Sequence, residues 1–295
     1  MDPAPHAAPS PAFVGEKCAA VNEPQHGAAA GCVAVPRSGT APRMATIAVT
    51  GSASGIGAAV RQRLAAGGAR VVGVDLRNAD VEADLGTVEG RRAAVAGVLR
   101  LAGSSLDGLV ACAGLGPHVT DRGAIVGVNY FGAVATLEGL HDALAAGRGA
   151  AVAVSSNSAT IPGSDNDIAA ACLDGDEADA RRRATELEGQ SAYGGSKLAL
   201  ARWVRRHAPA WAKDGVRLNA IAPGAVHTPL LQGGLEHPVL GDAIRMFPIP
   251  SGGFGTPEQI ASAIAFLLSP DAAFVYGSVL FADGGTDALL RADAF

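Results

Sequence analysis

From residue 44 onward, short apolar runs alternate with segments whose apolar residues recur every three or four positions. Residues 47–50 read as a buried strand and 56–66 as a helix. After Gly67-Gly68 comes a strand at 70–75, then a short segment at 83–85 and a helix at 87–101. Strands at 108–113 and 150–155 flank a helix that carries residues 129–145. Residues 162–189 are polar with helical spacing, and a long helix covers 192–212. A strand at 216–222 leads into a Gly- and Pro-rich loop over 223–255. A helix at 257–268, capped by Thr256, and a strand at 278–281 close the pattern. Continuous apolar strands between helices predict a parallel sheet covered on both faces. One doubly wound α/β domain of about seven strands follows, without internal repeats.

Residues 1–43 do not fit this pattern. They hold 11 Ala, 7 Pro and 4 Gly, and no apolar periodicity survives there. This composition predicts a disordered tail. The prolines within Met1 to Ser10 interrupt any apolar core a signal peptide would need. Met44, where the first strand begins, is read as the biological start or as the edge of a dispensable tail. N-terminal sequencing of the native protein separates the two.

Composition narrows the function classes. The formal net charge of −5, with no basic block, argues against nucleic acid as a partner. No stretch approaches 18 uninterrupted apolar residues, so no membrane span is expected. Cys18, Cys32, Cys112 and Cys172 are widely spaced without a CxxC, which fits a reducing cytoplasm and neither a disulfide framework nor a zinc site. No metal is expected. The basic residues are 20 Arg and only 3 Lys, so each Lys carries more information than usual.

Two constellations carry chemistry. The first is Thr50-Gly51-Ser52-Ala53-Ser54-Gly55-Ile56-Gly57, between the first strand and first helix. Gly51 allows the tight turn, Gly55 lets backbone approach a pyrophosphate, and Gly57 lets helix and strand pack closely. The helix N-terminus offers free N–H groups to phosphates. Asp75, at the end of the second strand, is positioned to accept hydrogen bonds from the adenosine ribose hydroxyls. Its charge would repel a 2′-phosphate, which favours NAD over NADP, although nearby Arg77 could accommodate that phosphate. This is a Rossmann-type arrangement.

The second constellation is Tyr193-Gly-Gly-Ser-Lys197. Residues four apart share a helix face, and a cation beside a phenol favours tyrosinate. Such a tyrosine can take a proton from an alcohol or return one to a carbonyl. Ser156 closes the strand at 150–155, at the carboxyl edge where such sheets bind ligands, and a hydroxyl there can orient a substrate oxygen. Asn129 sits mid-helix, where Asn is unfavourable, which suggests a bend or a bound water.

Gly-x-x-x-Gly-x-Gly, Tyr-x-x-x-Lys, Cys112-Ala113-Gly114 in place of the usual Asn-Ala-Gly, Ala222-Pro-Gly-Ala-Val-His-Thr228 and Asp283-Gly-Gly285 together resemble the short-chain dehydrogenase/reductase family over residues 45–290. The resemblance implies a catalytic set of Asn129, Ser156, Tyr193 and Lys197, with Asn129 relaying protons through water to the lysine. It implies coenzyme contacts at Gly51, Ser54, Gly55, Ile56, Gly57, Asp75, Leu76 and Arg77, and at Asp84 and Leu85 beside the adenine. Further contacts are implied at Ala113, Gly114, Tyr193, Lys197, Pro223, Gly224 and Val226, with Thr228 on the nicotinamide carboxamide. Cys112 reads as an apolar filler.

Two departures narrow the family. Ser156 and Tyr193 lie 37 residues apart, further than ordinary members place them, and the insert at about 162–189 has the charge pattern of an exposed helix. The link from Asp75 to Asp84 is too short for the usual helix. These features resemble the bacterial 3α-hydroxysteroid dehydrogenase/carbonyl reductase subgroup. That implies NAD-dependent interconversion of a secondary alcohol and a ketone on a steroid or other hydrophobic, cyclic carbonyl. The insert should crowd a surface used for tetramer formation, leaving a homodimer. The apolar residues at 227–254 suit a mobile substrate lid. Two other readings stay open: an aromatic alcohol dehydrogenase of the coniferyl type, and a catalytically silent dinucleotide sensor.

Overall fold

The computed structural model describes residues 44–161 and 166–294; the tail expected at 1–43, and the first part of the insert, lie outside them. Seven strands form one sheet: β1 (Thr46–Thr50), β2 (Arg70–Asp75), β3 (Val81–Glu82), β4 (Gly108–Ala111), β5 (Ala150–Val154), β6 (Arg217–Pro223) and β7 (Val279–Ala282). Their order is β3-β2-β1-β4-β5-β6-β7, and every pair is parallel. The order reverses between β1 and β4, where a crevice opens at the carboxyl ends of the strands.

The helices are α1 (Gly55–Ala66), α2 (Val88–Ala102), α3 (Arg122–Val126), α4 (Ala133–Gly139) and α5 (His141–Gly147). The insert forms α6 (Asn166–Leu173) and α7 (Glu177–Thr185), and α8 (Gly189–Lys213) follows. Then come α9 (Pro229–Glu236), α10 (Leu240–Arg245), α11 (Pro257–Leu268) and α12 (Thr286–Leu290). Strand alternation sorts the core into two layers. Ile47 and Val49 of β1 pack with Val60 of α1 and with Ile260 and Ile264 of α11. Ala48 joins the opposite layer, with Val98 of α2, Leu137 of α4 and Leu200 of α8. Both faces are covered, as the continuous apolar strands predicted.

Four expectations need correction. The helix expected over 129–145 is broken: a π-helical turn (Gly127–Gly132) joins α3 to α4, and α5 starts afresh at His141. The Gly- and Pro-rich loop contains two helices, α9 and α10. Thr228 accepts a hydrogen bond from Leu231 N–H and Pro229 occupies the first turn, so the segment starts a helix efficiently. The third strand is Val81–Glu82, so Asp84 and Leu85 lie just past the carboxyl edge instead of within a strand. The insert is not merely an exposed helix: Ile168, Cys172, Ala180 and Ala184 are fully buried. The link from β2 to β3 lacks a helix, as expected. Among the described residues, no single helix is long and apolar enough to cross a membrane.

Candidate active site

The crevice between β1 and β4 opens into a cleft of about 250 Å³. Gly51 (φ +67°) and Gly55 (φ +51°) hold the turn from β1 into α1 in left-handed backbone that other residues resist. A Cβ on Gly51 would lie 2.8 Å from Ala113 Cα, and one on Gly57 only 2.0 Å from Gly51 O. Strand, turn and helix therefore meet without room for side chains. Ser54 precedes α1 in extended backbone, makes no side-chain cap, and the first turn carries no acid. Its N–H groups suit a pyrophosphate. Asp75 bridges to the cradle: its carboxylate accepts from Ala53 N–H (2.9 Å) and Leu76 N–H (2.7 Å).

At the next strand end, Thr50 Oγ accepts from the N–H groups of Cys112 (3.0 Å) and Ala113 (3.1 Å). Burial pushes the Cys112 thiol up to about 12, which fits the filler reading. Across the cleft, α8 carries Tyr193 and Lys197. Lys197 Nζ donates to Val154 O (2.8 Å) and lies 5.9 Å from the Tyr193 ring centroid. Burial pulls the lysine down to about 8. Burial also pushes Tyr193 up, opposed by its hydrogen bond with Ser156. The expected lowering of the phenol by Lys197 is therefore overridden: burial is the largest influence on both groups and holds each toward its neutral form.

Ser156 follows β5, and its hydroxyl also accepts from Ser158 N–H (3.1 Å). Ser155 donates its hydroxyl hydrogen bond to Lys197 O (2.8 Å). Asn129 is fully buried in the π-helical turn. It accepts from Leu115 N–H (2.7 Å) and donates to Leu115 O (3.0 Å), so the helix irregularity anticipated from its sequence position is real. Its Oδ1 and Lys197 Nζ both crowd the point where a Gly114 Cβ would sit, at 3.1 and 3.4 Å.

Of the residues expected around a coenzyme, every one but Arg77 lines the cleft; Arg77 is exposed and outside it. Val128, Leu115 and Cys112 line it too and were missed. A second cavity, about 280 Å³, adjoins the first under α9 and α10. Its walls include Ile161, Leu231, Leu240, Ile244 and Phe247, with Ser156 and Tyr193 on the side shared with the cleft. Among the described residues, no Arg or Lys lines it. The turn at Asp283-Gly-Gly285 anchors the far end of the 227–254 segment: Ser251 N–H donates to Gly284 O (3.0 Å) and Thr286 Oγ to Pro248 O (2.9 Å).

A family model described as short chain dehydrogenase matches residues 45–168, and one described as enoyl-(acyl carrier protein) reductase matches 180–287. The chain is 48% identical over 257 residues to the 3-alpha-hydroxysteroid dehydrogenase/carbonyl reductase of Comamonas testosteroni, covering 85% of this chain and all of that one. The chain belongs to the short-chain dehydrogenase family. Another member, the cis-4-hydroxycyclohexanecarboxylate dehydrogenase of Sinomonas cyclohexanicum, is 35% identical over 82% of this chain and 96% of its own. The crystal structure of the 3-alpha-hydroxysteroid dehydrogenase from Pseudomonas sp. B-0831 complexed with NADH superimposes with a TM-score of 0.83. It is 51% identical and covers 85% of this chain and 100% of its own. As a short-chain dehydrogenase, the chain departs from the Asn-Ala-Gly pattern at Cys112, where Thr50 still ties the two strand ends together.

Proposed function

We propose that this short-chain dehydrogenase is an NAD-dependent enzyme that interconverts a secondary alcohol and a ketone on a neutral, hydrophobic, cyclic substrate of steroid-like type. The observation that carries this reading is the junction of the two cavities at Ser156 and Tyr193. The cleft lined by the glycine cradle and Asp75 and the apolar chamber share the hydroxyls of Ser156 and Tyr193, which can handle a substrate oxygen. Asp75 ends β2 and Ser156 follows β5, three strands away. At about 4.8 Å per strand the two lie roughly 14 Å apart, which suits an extended dinucleotide lying across the strand ends.

The residues fit that coenzyme. The N-terminus of α1 and the side-chain-free cradle of Gly51, Gly55 and Gly57 would hold the pyrophosphate, and Asp75 the adenosine ribose. Asp84 and Leu85 would flank the adenine; Pro223, Gly224, Val226 and Thr228 would flank the nicotinamide. When bound, the nicotinamide ring accepts or supplies the hydride. Ser156 orients the substrate oxygen. Tyr193 holds a proton at its phenol oxygen for the ketone, or receives one from the alcohol. Lys197, kept beside it in a dry site, stabilises the ionised phenol as the proton leaves.

The absence of Arg and Lys around the second cavity argues for an uncharged substrate over a carboxylate-bearing one. Its volume of about 280 Å³ sits near the lower end of small-molecule sites, roughly 300–1,000 Å³. A multi-ring substrate therefore requires α9 and α10 to shift. Turnover assays with NAD and a series of monocyclic, steroidal and benzylic alcohols test this. The reading expects higher kcat/KM for the alicyclic and steroidal alcohols. A preference for flat benzylic alcohols would favour the coniferyl-type alternative instead. We also propose a homodimer: Phe274 and Tyr276 stand exposed shortly before the edge strand β7. Light scattering of the purified protein should return twice the chain mass, and a monomer would refute it.

The cradle gives a further prediction. Gly57→Ala drives a Cβ into the Gly51 carbonyl, so cradle and helix must separate at a cost of about 1–3 kcal/mol. NADH should raise the melting temperature of the wild type and fail to raise that of the variant.

A further inference from the structure

The insert does more than cover the core. Glu177, near the start of α7, receives both ends of the buried Arg91 guanidinium (2.6 and 2.7 Å) and the Nε of Arg181 (2.8 Å). Burial works against its charge, but these hydrogen bonds keep the Glu177 carboxyl below its ordinary range. Both arginines then reach past the glutamate to backbone. Arg91 Nε donates to Leu85 O (2.8 Å) and its Nη2 to Gly127 O (3.0 Å). Arg181 donates to Gly86 O and lies flat over Gly127, where a Cβ would be 2.1 Å from its Nη2.

The carbonyls so captured belong to the two backbone segments that wall the Asp75 end of the cleft. Leu85 and Gly86 follow β3, with Asp84 and Leu85 in the wall; Gly127 begins the π-helical turn that brings Val128 to the cleft. The segments also touch directly, since a Cβ on Gly132 would lie 2.9 Å from Leu85 O. Residues 83–86 are otherwise held by Ala83 N–H on Asp75 O (2.9 Å), by local turn bonds from Gly86 and Thr87 to Asp84, and by the buried Leu85 side chain; none of these hydrogen bonds ties them to the π-helical turn. Charged donors on carbonyls are strong, directional ties.

We propose that α7 is a positioning device for the adenosine end of the coenzyme site: Arg181, with the Arg91–Glu177 pair, sets the spacing of the 84–86 segment and the π-helical turn. The inference rests on the dinucleotide reading of the cleft. It makes Arg91, Glu177 and Arg181 positioning residues, since none lines the cleft. It also gives the insert a role in coenzyme affinity, separate from any role in subunit contacts.

The test compares wild type, Arg181→Met and Arg182→Met, whose Arg182 faces solvent on the same helix, paired with Asp179 and Glu186. Dissociation constants for NADH are measured by fluorescence titration and for ADP-ribose by calorimetry, alongside kcat at saturating NAD. Arg181→Met should raise both constants by the same factor, about tenfold, the weight of one charge-assisted hydrogen bond. KM for NAD should rise with them while kcat holds, and Arg182→Met should match the wild type. Constants for Arg181→Met within twofold of the wild type, or a fall in kcat without a change in ADP-ribose affinity, would overturn the inference. Should Arg181→Met fail to fold, Glu177→Gln preserves the side-chain volume and should shift the same two constants in the same direction. A wild type that binds no NADH would instead sink the dinucleotide reading.

Discussion

Tyr193→Phe should lower kcat by about 10³-fold in either direction while leaving NADH affinity within a few-fold of the wild type. The phenol is the acid–base group assigned at the junction of cleft and cavity, with Ser156 orienting the substrate oxygen, and a positioned acid or base contributes about 10²–10⁴. Little else should move. The half-buried ring keeps its packing, and Ser156 retains its hydrogen bond from Ser158 N–H when its bond to the phenol is lost. Stopped-flow or steady-state turnover, read beside an NADH titration, separates the two effects. A silent dinucleotide sensor would show no turnover to lose.

The second large effect is on Lys197, where function and stability should move in opposite directions. Its amine is held at about 8, against an ordinary value of 10.5, because it is buried; a Coulombic pull from Cys112 only partly opposes this. A lowered value means the fold tolerates the neutral amine and penalises the charged one. Stability is therefore fullest above the ordinary value and is lost as pH falls through about 8. At neutral pH the penalty is about 3 kcal/mol, at roughly 1.4 kcal/mol per unit. Lys197→Met fills the same space without the charge but leaves Val154 O unpaired, which returns about 1 kcal/mol. The free variant should melt about 5 °C higher at pH 7, the gain vanishing toward pH 10. Its kcat should fall by at least about 10², because the phenol loses the cation that stabilises its ionised form. Thermal scans across pH check the first part, and a variant that melts lower at neutral pH contradicts it.

The same burial sets the direction of the pH dependence. Tyr193 is pushed up, so its resting form is the proton donor. Ketone reduction should be high at neutral pH and decline in alkali, whereas alcohol oxidation should climb with pH. Initial rates in both directions check the sign.

The sheet was legible because its strands are continuous apolar runs, and the cradle because only glycine satisfies its backbone demands. Tyr193 and Lys197 stood out through their spacing in a chain with so few of either residue. The state of the pair was not legible: spacing shows a cation near a phenol, but burial, which spacing does not report, dominates both. The π-helical turn was visible only as the oddity of Asn129. Its form depends on the two bonds that Asn129 makes to Leu115, a contact 14 residues away. Helices α9 and α10 were hidden by their Gly and Pro content, although Thr228-Pro229 is a good helix start and Leu240 and Ile244 share a helical face. The inward reach of Arg181 was masked because Glu177 and Arg181, four apart, look the same on a solvated helix as in a half-buried network around Arg91. Arg77 was placed by sequence proximity to Asp75, but it is exposed and outside the cleft wall, which ends at Leu76 on this segment.

The central claim is that one pair of hydroxyls joins an NAD cleft to an apolar chamber built for a neutral cyclic alcohol. Its most direct test is the initial rate of NADH formation by purified wild-type protein given NAD and a 3α-hydroxysteroid, with Tyr193→Phe as the control. Steady NADH production by the wild type and a rate about a thousandfold lower for the variant are expected. No NADH from steroidal or simpler alicyclic alcohols, or equal rates from the two proteins, would contradict it.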